Sequence, residues 1–201
     1  MNIELKVENL NSWWDFTENP DCLKSGIYFW TIPNKNKELI YYIGITTRTI
    51  AERTLEHLTE YLKGEYCILN LDELKKGNRE YIWKGLWRLN KFKKKEKISE
   101  LKYNKEKDKF FKNKTEQLRT IRLFLSGMNL YFFPFDMGKR ELERIEKGIA
   151  LNILEKGDPC IFNTPSIVSW KRTRKRDLSE NKITIKILRN NFINLDSTIL
   201  V

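Results

Sequence analysis

Two neighbouring stretches of the chain have the residue pattern of β-strands. "GIYFWTI" (26–32) and "LIYYIGI" (39–45) are rich in β-branched and aromatic residues, which pack well on a pleated surface. The polar segment "PNKNKE" lies between them. The pattern therefore predicts an antiparallel hairpin with a loop of about five residues.

A helical pattern follows this hairpin. From Thr49 to about Leu62, apolar residues recur at intervals of four, three and four: Ala51, Leu55, Leu58 and Leu62. This spacing predicts a helix whose apolar stripe faces the core. Arg53 and His57 are four residues apart, so we expect them together on a side away from that stripe, facing solvent or a cleft.

Three further segments complete the pattern. "TEQLRTIRLFL" favours a helix, "MNLYFFPFD" (128–136) a third strand, and "KRELERIEKGIALNILEKG" a helix that ends at Gly157. The order is strand, strand, helix, long insertion, strand, helix. We therefore predict an α+β fold with a small three-stranded antiparallel sheet flanked by helices, a basic insertion and a basic C-terminal extension.

The charge of the chain is strongly positive and unevenly distributed. The 201 residues include 38 basic and 27 acidic ones, a formal net charge of +11. Much of the excess lies in residues 79–122, and "KRTRKR" (171–176) adds more. A charge of this size favours a polyanionic partner, and DNA is our expectation. The candidate DNA contacts are Lys93, Lys94, Lys95, Lys171, Arg172, Arg174, Lys175 and Arg176.

The basic run also contains aromatic residues. Phe92, Tyr103, Phe110 and Phe111 lie among the lysines of the insertion. Such side chains can pack on the domain or stack on unpaired bases, and the run can also be a solvated helix face. The sequence leaves these alternatives open.

Cysteine usage and hydropathy indicate the compartment. Cys22, Cys67 and Cys160 are odd in number and widely separated, which disfavours a disulfide framework and a structural zinc site. Acidic residues interrupt the first 24 positions, which disfavours a signal peptide. The sequence contains no run of about 18 apolar residues, the length needed to span a bilayer. We expect a cytoplasmic protein with no membrane partner.

Two short motifs of the hairpin resemble a known signature. "GIY" at 26–28 and "YIG" at 42–44 are similar to the paired motifs of GIY-YIG nucleases. The likeness extends to a following helix with Arg53 and, four residues on, His57. It then includes a third strand and a helix with a glutamate, Glu146, followed by an asparagine, Asn163.

The resemblance also implies a domain organisation. The matching core covers residues 25–62 and 127–165, with the insertion at about 65–122 and the extension at 166–201. Together they make a single domain over 1–201. Arg53 lies one residue farther from "YIG" than the resemblance predicts, so Arg48 is the alternative at that position.

The resemblance implies a DNA endonuclease that hydrolyses phosphodiester bonds with Mg²⁺ or Mn²⁺. In this interpretation Tyr28, next to Tyr42, is the general base, and His57 shares or relays the proton. Arg53 binds the phosphate. Glu146 holds the metal ion, beside the apolar stripe that Leu142, Ile145, Ile149 and Ile153 form on its helix. Glu143, one turn back and expected to face solvent, is its competitor, and Asn163 is a secondary candidate.

The biological role is less narrowly defined. Basic segments within the core domain favour a stand-alone restriction or phage-defence nuclease, which would cut both strands either as a homodimer or by sequential nicking. A homing or repair nuclease is an alternative. A non-catalytic nucleic-acid-binding protein on the same fold is another, in which Tyr28 and Tyr42 only pack and Arg53 only pairs with Glu56 or Glu60.

Overall fold

The computed structural model describes residues 1–6, 11–89, 100–156, 182–189 and 191–201. Helices and small sheets combine into an α+β fold, as predicted. The chain divides into two compact units. The first comprises Met1–Glu52 and Met128–Val201, and the second comprises Arg53–Gly127. The single domain expected from the sequence stays a prediction, and the two units are described separately.

The first unit contains the predicted three-stranded antiparallel sheet. Its strands are β2 (Gly26–Asn34), β3 (Lys37–Thr46) and β6 (Asn129–Pro134), in the order β3-β2-β6. β2 and β3 are joined at Lys35 and Asn36, so the loop is shorter than predicted. Lys35 has a φ of 56°, the left-handed conformation that such tight hairpin turns require.

A buried carboxyl joins the three strands of this sheet. Glu38 on β3 accepts hydrogen bonds from Thr31 Oγ1 on β2 (2.7 Å) and from Asn129 Nδ2 on β6 (2.9 Å). Burial raises the pKa of Glu38, although both hydrogen bonds act in the opposite direction. Loss of this group would leave two polar side chains without their acceptor.

Helix α5 (Lys139–Glu155) packs against β2 and β3 of the same unit. Its buried residues include the predicted stripe of Leu142, Ile145, Ile149 and Ile153. The expected glycine stop, Gly157, lies outside the described residues. The hydrophobic period of this helix was therefore sufficient to identify the aliphatic residues of its buried face.

A second sheet in the first unit was not predicted. Strands β1 (Asn2–Lys6), β7 (Thr184–Leu188) and β8 (Thr198–Leu200) form it in the order β1-β7-β8. β1 and β7 pair in parallel, and β7 and β8 antiparallel. Part of the expected C-terminal extension thus belongs to a sheet with the first strand of the chain.

The second unit is built mainly from helices. The boundary between the units falls within α1 (Ile50–Leu62). Later elements are β4 (Ile68–Leu69), α2 (Leu71–Lys75), β5 (Tyr81–Trp83), α3 (Glu100–Lys112) and α4 (Lys114–Ser126). The predicted insertion therefore has structure of its own over its described residues.

Candidate functional site

Tyr28 and Gly44 join the two sequence motifs across the hairpin. They are directly opposite one another in the pairing of β2 with β3. A Cβ atom on residue 44 would overlap the Tyr28 ring at Cζ and Oη. The glycine of "YIG" is thus the residue that leaves room for the tyrosine of "GIY". Tyr28 itself is only 1% exposed.

Aromatic side chains cover the same face of this sheet. Trp30 follows Tyr28 by two residues and is paired with Tyr42, so both neighbours lie on the face of Tyr28. The ring centroids of Tyr28 and Tyr42 are 6.2 Å apart, and those of Trp30 and Tyr42 are 4.3 Å apart. The predicted proximity of the two tyrosines is confirmed. Tyr42 is half-buried, whereas Tyr28 is buried rather than open to a cleft.

The first glycine of the signature also has a structural cause. Gly26 has a φ of +151°, which side chains rarely adopt. A Cβ atom there would also overlap the backbone of β6 at Phe133. Both signature glycines are therefore required by backbone conformation or packing, independently of any chemistry.

The start of α1 is set by a capping box. Thr49 Oγ1 accepts a hydrogen bond from the Glu52 backbone N–H (3.1 Å), and Glu52 Oε2 accepts one from the Thr49 backbone N–H (3.1 Å). Arg48 lies just before this cap and is exposed, and its backbone N–H donates to Thr46 Oγ1. Arg48, the alternative candidate for phosphate binding, is thus in the first unit, just before α1.

Glu146 lies on α5 next to the buried Ile145. Its side chain is half-buried, and that of Glu143 is half-buried as well. Glu143, which was expected to face solvent, is only partly exposed, because the buried face of α5 also includes Gly148 and Ala150 and is wider than the predicted stripe. Exposure alone does not separate the two carboxylates as metal ligands.

Arg53 belongs to the second unit and forms an ion pair on its own helix. Its Nη1 donates to Glu56 Oε2 at 2.8 Å, and its side chain is 33% exposed. This is one of the two pairings that the sequence offered as a purely structural role. Ion pairs of this exposure contribute little stability, about 0–1 kcal/mol.

His57 is buried, contrary to the prediction. It is 2% exposed, and its Nδ1 lies 3.1 Å from the hydroxyl of Tyr66. Burial, followed by the nearby charge of Arg53, lowers the pKa of His57 to about 3, against a smaller opposing effect of Glu56. The imidazole is therefore neutral at physiological pH.

The reason is that α1 buries a different face from the one predicted. Its buried side carries Ile50, Thr54, His57 and Tyr61, again at intervals of four, three and four. Leu55 and Leu62, expected in the core, are 49% and 43% exposed. The expectation that His57 lies on an open side is thus corrected, because the core-facing side of α1 carries a Thr and a His rather than the leucines of the predicted stripe.

Sequence reasoning also missed Tyr66. It follows His57 by nine residues, beyond the end of α1, and no periodicity links the two. The turn at Gly64, whose φ is +73°, reverses the chain and returns Tyr66 to the helix. A glycine just after a helix signals such a turn, but not which side chain is brought back.

Helix α3 carries a row of exposed lysines. Lys102, Lys105, Lys109 and Lys112 are all exposed, and their spacing of three, four and three places them on one side of the helix. We call them the α3 lysine row. Lys109 pairs with Glu106. Four cations on successive turns form a surface that suits a polyanion.

The aromatic residues of α3 pack inwards for the most part. Phe110 is 2% exposed, and its ring centroid lies 5.1 Å from that of Trp83. The hydroxyl of Tyr103 donates to Glu65 Oε1 at 2.6 Å. Phe111 is partly exposed. Packing thus accounts for Tyr103 and Phe110, and only Phe111 has the exposure expected for base stacking.

Several predicted residues lie outside the described residues. They are Phe92, Lys93, Lys94, Lys95, Asn163, Lys171, Arg172, Arg174, Lys175 and Arg176. Within the described ranges, no three His, Cys, Asp or Glu side chains gather as a metal-binding group. A site with one carboxylate ligand, such as the resemblance implies for Glu146, would not produce such a group. No described helix is long and apolar enough to cross a membrane.

Comparison of the chain with protein-family models, with curated proteins and with solved structures finds no match.

Proposed function

We propose that this protein is a divalent-metal-dependent DNA endonuclease of the GIY-YIG type. The observation that carries the proposal is the pairing of Tyr28 with Gly44. The tyrosine of one motif faces the glycine of the other across adjacent strands, as the two halves of one signature would. Tyr28 is on the central strand of the sheet and Gly44 is on the neighbouring strand β3, and one motif provides the space that the other fills.

The order of elements in the first unit also supports the proposal. β2 and β3 form the hairpin, β6 joins β2 as the third antiparallel strand, and α5 follows and packs against β2 and β3. Glu146 is on that helix. This is the succession of strand, strand, strand and glutamate-bearing helix that the resemblance predicts.

The chemistry of the residues suits phosphodiester hydrolysis. The reaction needs a base to activate water, positive charge for the phosphoryl oxygens, and help for the departing 3′ oxygen. In the proposal Tyr28 is the base, with Tyr42 beside it. Arg53, or Arg48 in its place, provides a planar charged fork for the phosphate.

Glu146 is the residue that would hold Mg²⁺ or Mn²⁺. Hard cations prefer carboxylate oxygens, and a half-buried carboxylate next to apolar residues fits one protein ligand of such an ion. Bound there, the cation would supply positive charge for the phosphate. The remaining ligands of the ion would come from water and from the DNA.

The proposed substrate is DNA, and the proposed role is restriction or phage defence. The net charge of +11 and the α3 lysine row support a polyanionic substrate. A break in both strands would require a homodimer on DNA or two successive nicks, because one such site cuts one strand.

Incubation with supercoiled plasmid tests the function. The wild-type protein should nick the plasmid in Mg²⁺ or Mn²⁺ and leave it intact in EDTA. Tyr28→Phe keeps the ring over Gly44 but removes the hydroxyl, so it should bind the plasmid and cut it at least about 10²-fold more slowly. Plasmid that stays uncut with well-folded wild-type protein in both metals would refute the proposal.

The burial of Tyr28 favours one alternative. A ring that is 1% exposed and packed over Gly44 can be a core residue alone. The protein would then be a non-catalytic nucleic-acid-binding protein on the same fold. It would retard the plasmid in a gel without cutting it, and Tyr28→Phe would not change that binding.

A further inference from the structure

His57 and Tyr66 form a buried pair in the second unit. The imidazole Nδ1 and the phenol oxygen are 3.1 Å apart, within hydrogen-bond distance. The ring of Tyr61 packs edge-on against Tyr66, with centroids 5.2 Å apart, and the ring of Phe124 on α4 lies against Tyr61. The phenol is therefore held by its packing on Tyr61 of α1, which Phe124 of α4 supports from behind, as well as by its hydrogen bond.

The direction of this hydrogen bond follows from the chemistry of the two groups. A neutral imidazole has one protonated nitrogen and one nitrogen with a lone pair, and the latter is a better acceptor than a phenol oxygen. The phenol hydrogen is in turn a good donor. The bond that pairs the better donor with the better acceptor runs from the Tyr66 hydroxyl to His57 Nδ1. The ring proton is then on Nε2.

The charges around the pair agree with this arrangement. Burial raises the pKa of Tyr66, with smaller contributions from Arg53, which lowers it, and from Glu60 and Glu56, which raise it. The phenol therefore keeps its proton. Arg53 and Glu56 are the charged groups that act on His57, and burial outweighs both. The imidazole therefore stays neutral and can accept from the phenol.

We infer that Tyr66 is a positioning residue that holds the imidazole of His57 in one tautomer, with the proton on Nε2. The link to catalysis rests on the proposed function and on the role that the resemblance implies for His57, which is to share or relay a proton. In that reaction His57 acts as a neutral hydrogen-bond donor through Nε2. It is neither a cation nor a base at this nitrogen in the resting enzyme.

The chain allows a direct test because His57 is its only histidine. A long-range ¹H–¹⁵N spectrum of the ¹⁵N-labelled full chain contains a single set of imidazole signals, and protonated and unprotonated ring nitrogens have well-separated shifts. We expect Nε2 to be protonated and Nδ1 unprotonated, without change between about pH 7.5 and about pH 5. A protonated Nδ1 in the wild-type protein would overturn the inference.

Tyr66→Phe should change this spectrum. The substitution keeps the ring but removes the donor to Nδ1, so part of the population should shift to the Nδ1-protonated tautomer. Tyr81→Phe is the matched control, because Tyr81 is exposed on β5 and should leave the wild-type spectrum intact. An unchanged tautomer in folded Tyr66→Phe would also overturn the inference. If Tyr66→Phe does not fold, the wild-type spectrum alone decides.

A cleavage assay tests the catalytic link separately. Tyr66→Phe should lower the rate at saturating DNA about tenfold, comparable to the loss of a residue that orients a functional histidine, while DNA affinity stays unchanged. A folded variant that cuts as fast as the wild type would refute the catalytic link. Wild-type protein that cuts no DNA would refute the proposed function, and the tautomer would still be decided by the spectrum.

Discussion

The ring of Tyr28 occupies the place that a side chain on residue 44 would need. The two residues face each other on β2 and β3, and each belongs to one half of the sequence signature. Their contact explains why the two motifs occur together at the level of packing. This explanation holds whether or not the protein cuts DNA. The packing of the pair and the cleavage of DNA therefore need separate experiments.

A double-mutant cycle tests the packing of this pair. Gly44→Ala forces a methyl group into the Tyr28 ring and should destabilise the protein by about 1–3 kcal/mol, as overpacking of a core does. In a Tyr28→Ala background the same change should cost clearly less, because the ring has been removed. Urea unfolding of the four proteins measures the coupling. Equal costs in both backgrounds would show that the two residues do not interact.

A second prediction distinguishes Arg53 from Arg48. Lysine keeps the charge but loses the planar fork, so Arg53→Lys should lower cleavage by about 10²-fold or more if Arg53 binds the phosphate. Arg48→Lys should have a mild effect. Steady-state cleavage of plasmid measures both. The reverse result would assign the phosphate to Arg48, whose exposed turn lies directly before α1.

A third prediction concerns the metal ligand. Glu146→Ala should abolish cutting in Mg²⁺ and in Mn²⁺. It should bind DNA at least as well as wild type in EDTA, because a carboxylate without its cation repels phosphate. Glu143→Ala should cut within a few-fold of wild type. Gel-shift and cleavage assays of the two variants give these results.

Two other outcomes would change this assignment. An active Glu146→Ala with an inactive, folded Glu143→Ala would move the ligand one turn back on α5. The two side chains are similarly half-buried, so the structure permits that exchange. Two active variants would rule out a mechanism with a single glutamate.

The α3 lysine row leads to a fourth prediction. Each phosphate contact adds about 0.9 to the slope of log K against log salt. Changing Lys102, Lys105 and Lys112 together to Gln should therefore reduce the magnitude of that slope by up to about 2–3. Binding is measured by fluorescence anisotropy over a range of salt concentrations. The sequence that is cut should not change.

A charge-matched variant controls for net charge. Lys6, Lys37 and Lys186 are exposed residues of the first unit, and their change to Gln removes the same charge. The slope should stay near the wild-type value in this variant. Equal effects of the two triple variants would mean that only total charge matters. If the α3 variant has the wild-type slope, the DNA contacts must lie on other basic segments, such as Lys93–Lys95 or 171–176.

The fifth prediction concerns pH and His57. Because its pKa in the folded protein is about 3 and its ordinary value is 6.5, the unfolded chain binds the extra proton first as the pH falls. The folded state should therefore lose stability below about pH 6.5. Between about pH 7.5 and about pH 5 the loss should be about 2 kcal/mol.

His57→Gln provides the comparison for this prediction. The variant lacks the titrating group. Its free energy of unfolding should therefore fall by nearly 2 kcal/mol less than that of the wild type over the same pH range. Glu38 acts in the opposite direction, because its raised pKa favours the folded state as the pH falls, and it is present in both proteins. Its effect cancels in the difference. Parallel stability curves would show that His57 titrates alike in the folded and unfolded chains.

Local patterns in the sequence determined much of the first unit. The hairpin, the third strand and the buried stripe of α5 follow from residue spacing, because a strand or helix must turn its apolar residues to one side. The proximity of Tyr28 and Tyr42 followed as well, since a hairpin sets which residues are opposite. The small antiparallel sheet was therefore predictable without any structure.

Tertiary structure alone decided the rest. β1 and β7 pair although they lie near opposite ends of the chain. Such a pairing has no local signal in the sequence. On α1, the leucines at 55 and 62 fit the helical period but are exposed, while His57 is buried against Tyr66. The sequence of a helix shows only the spacing of its apolar residues. Which face of the helix becomes buried depends on the residues that pack against it. For His57 that residue is Tyr66, which a turn beyond the helix brings back to α1.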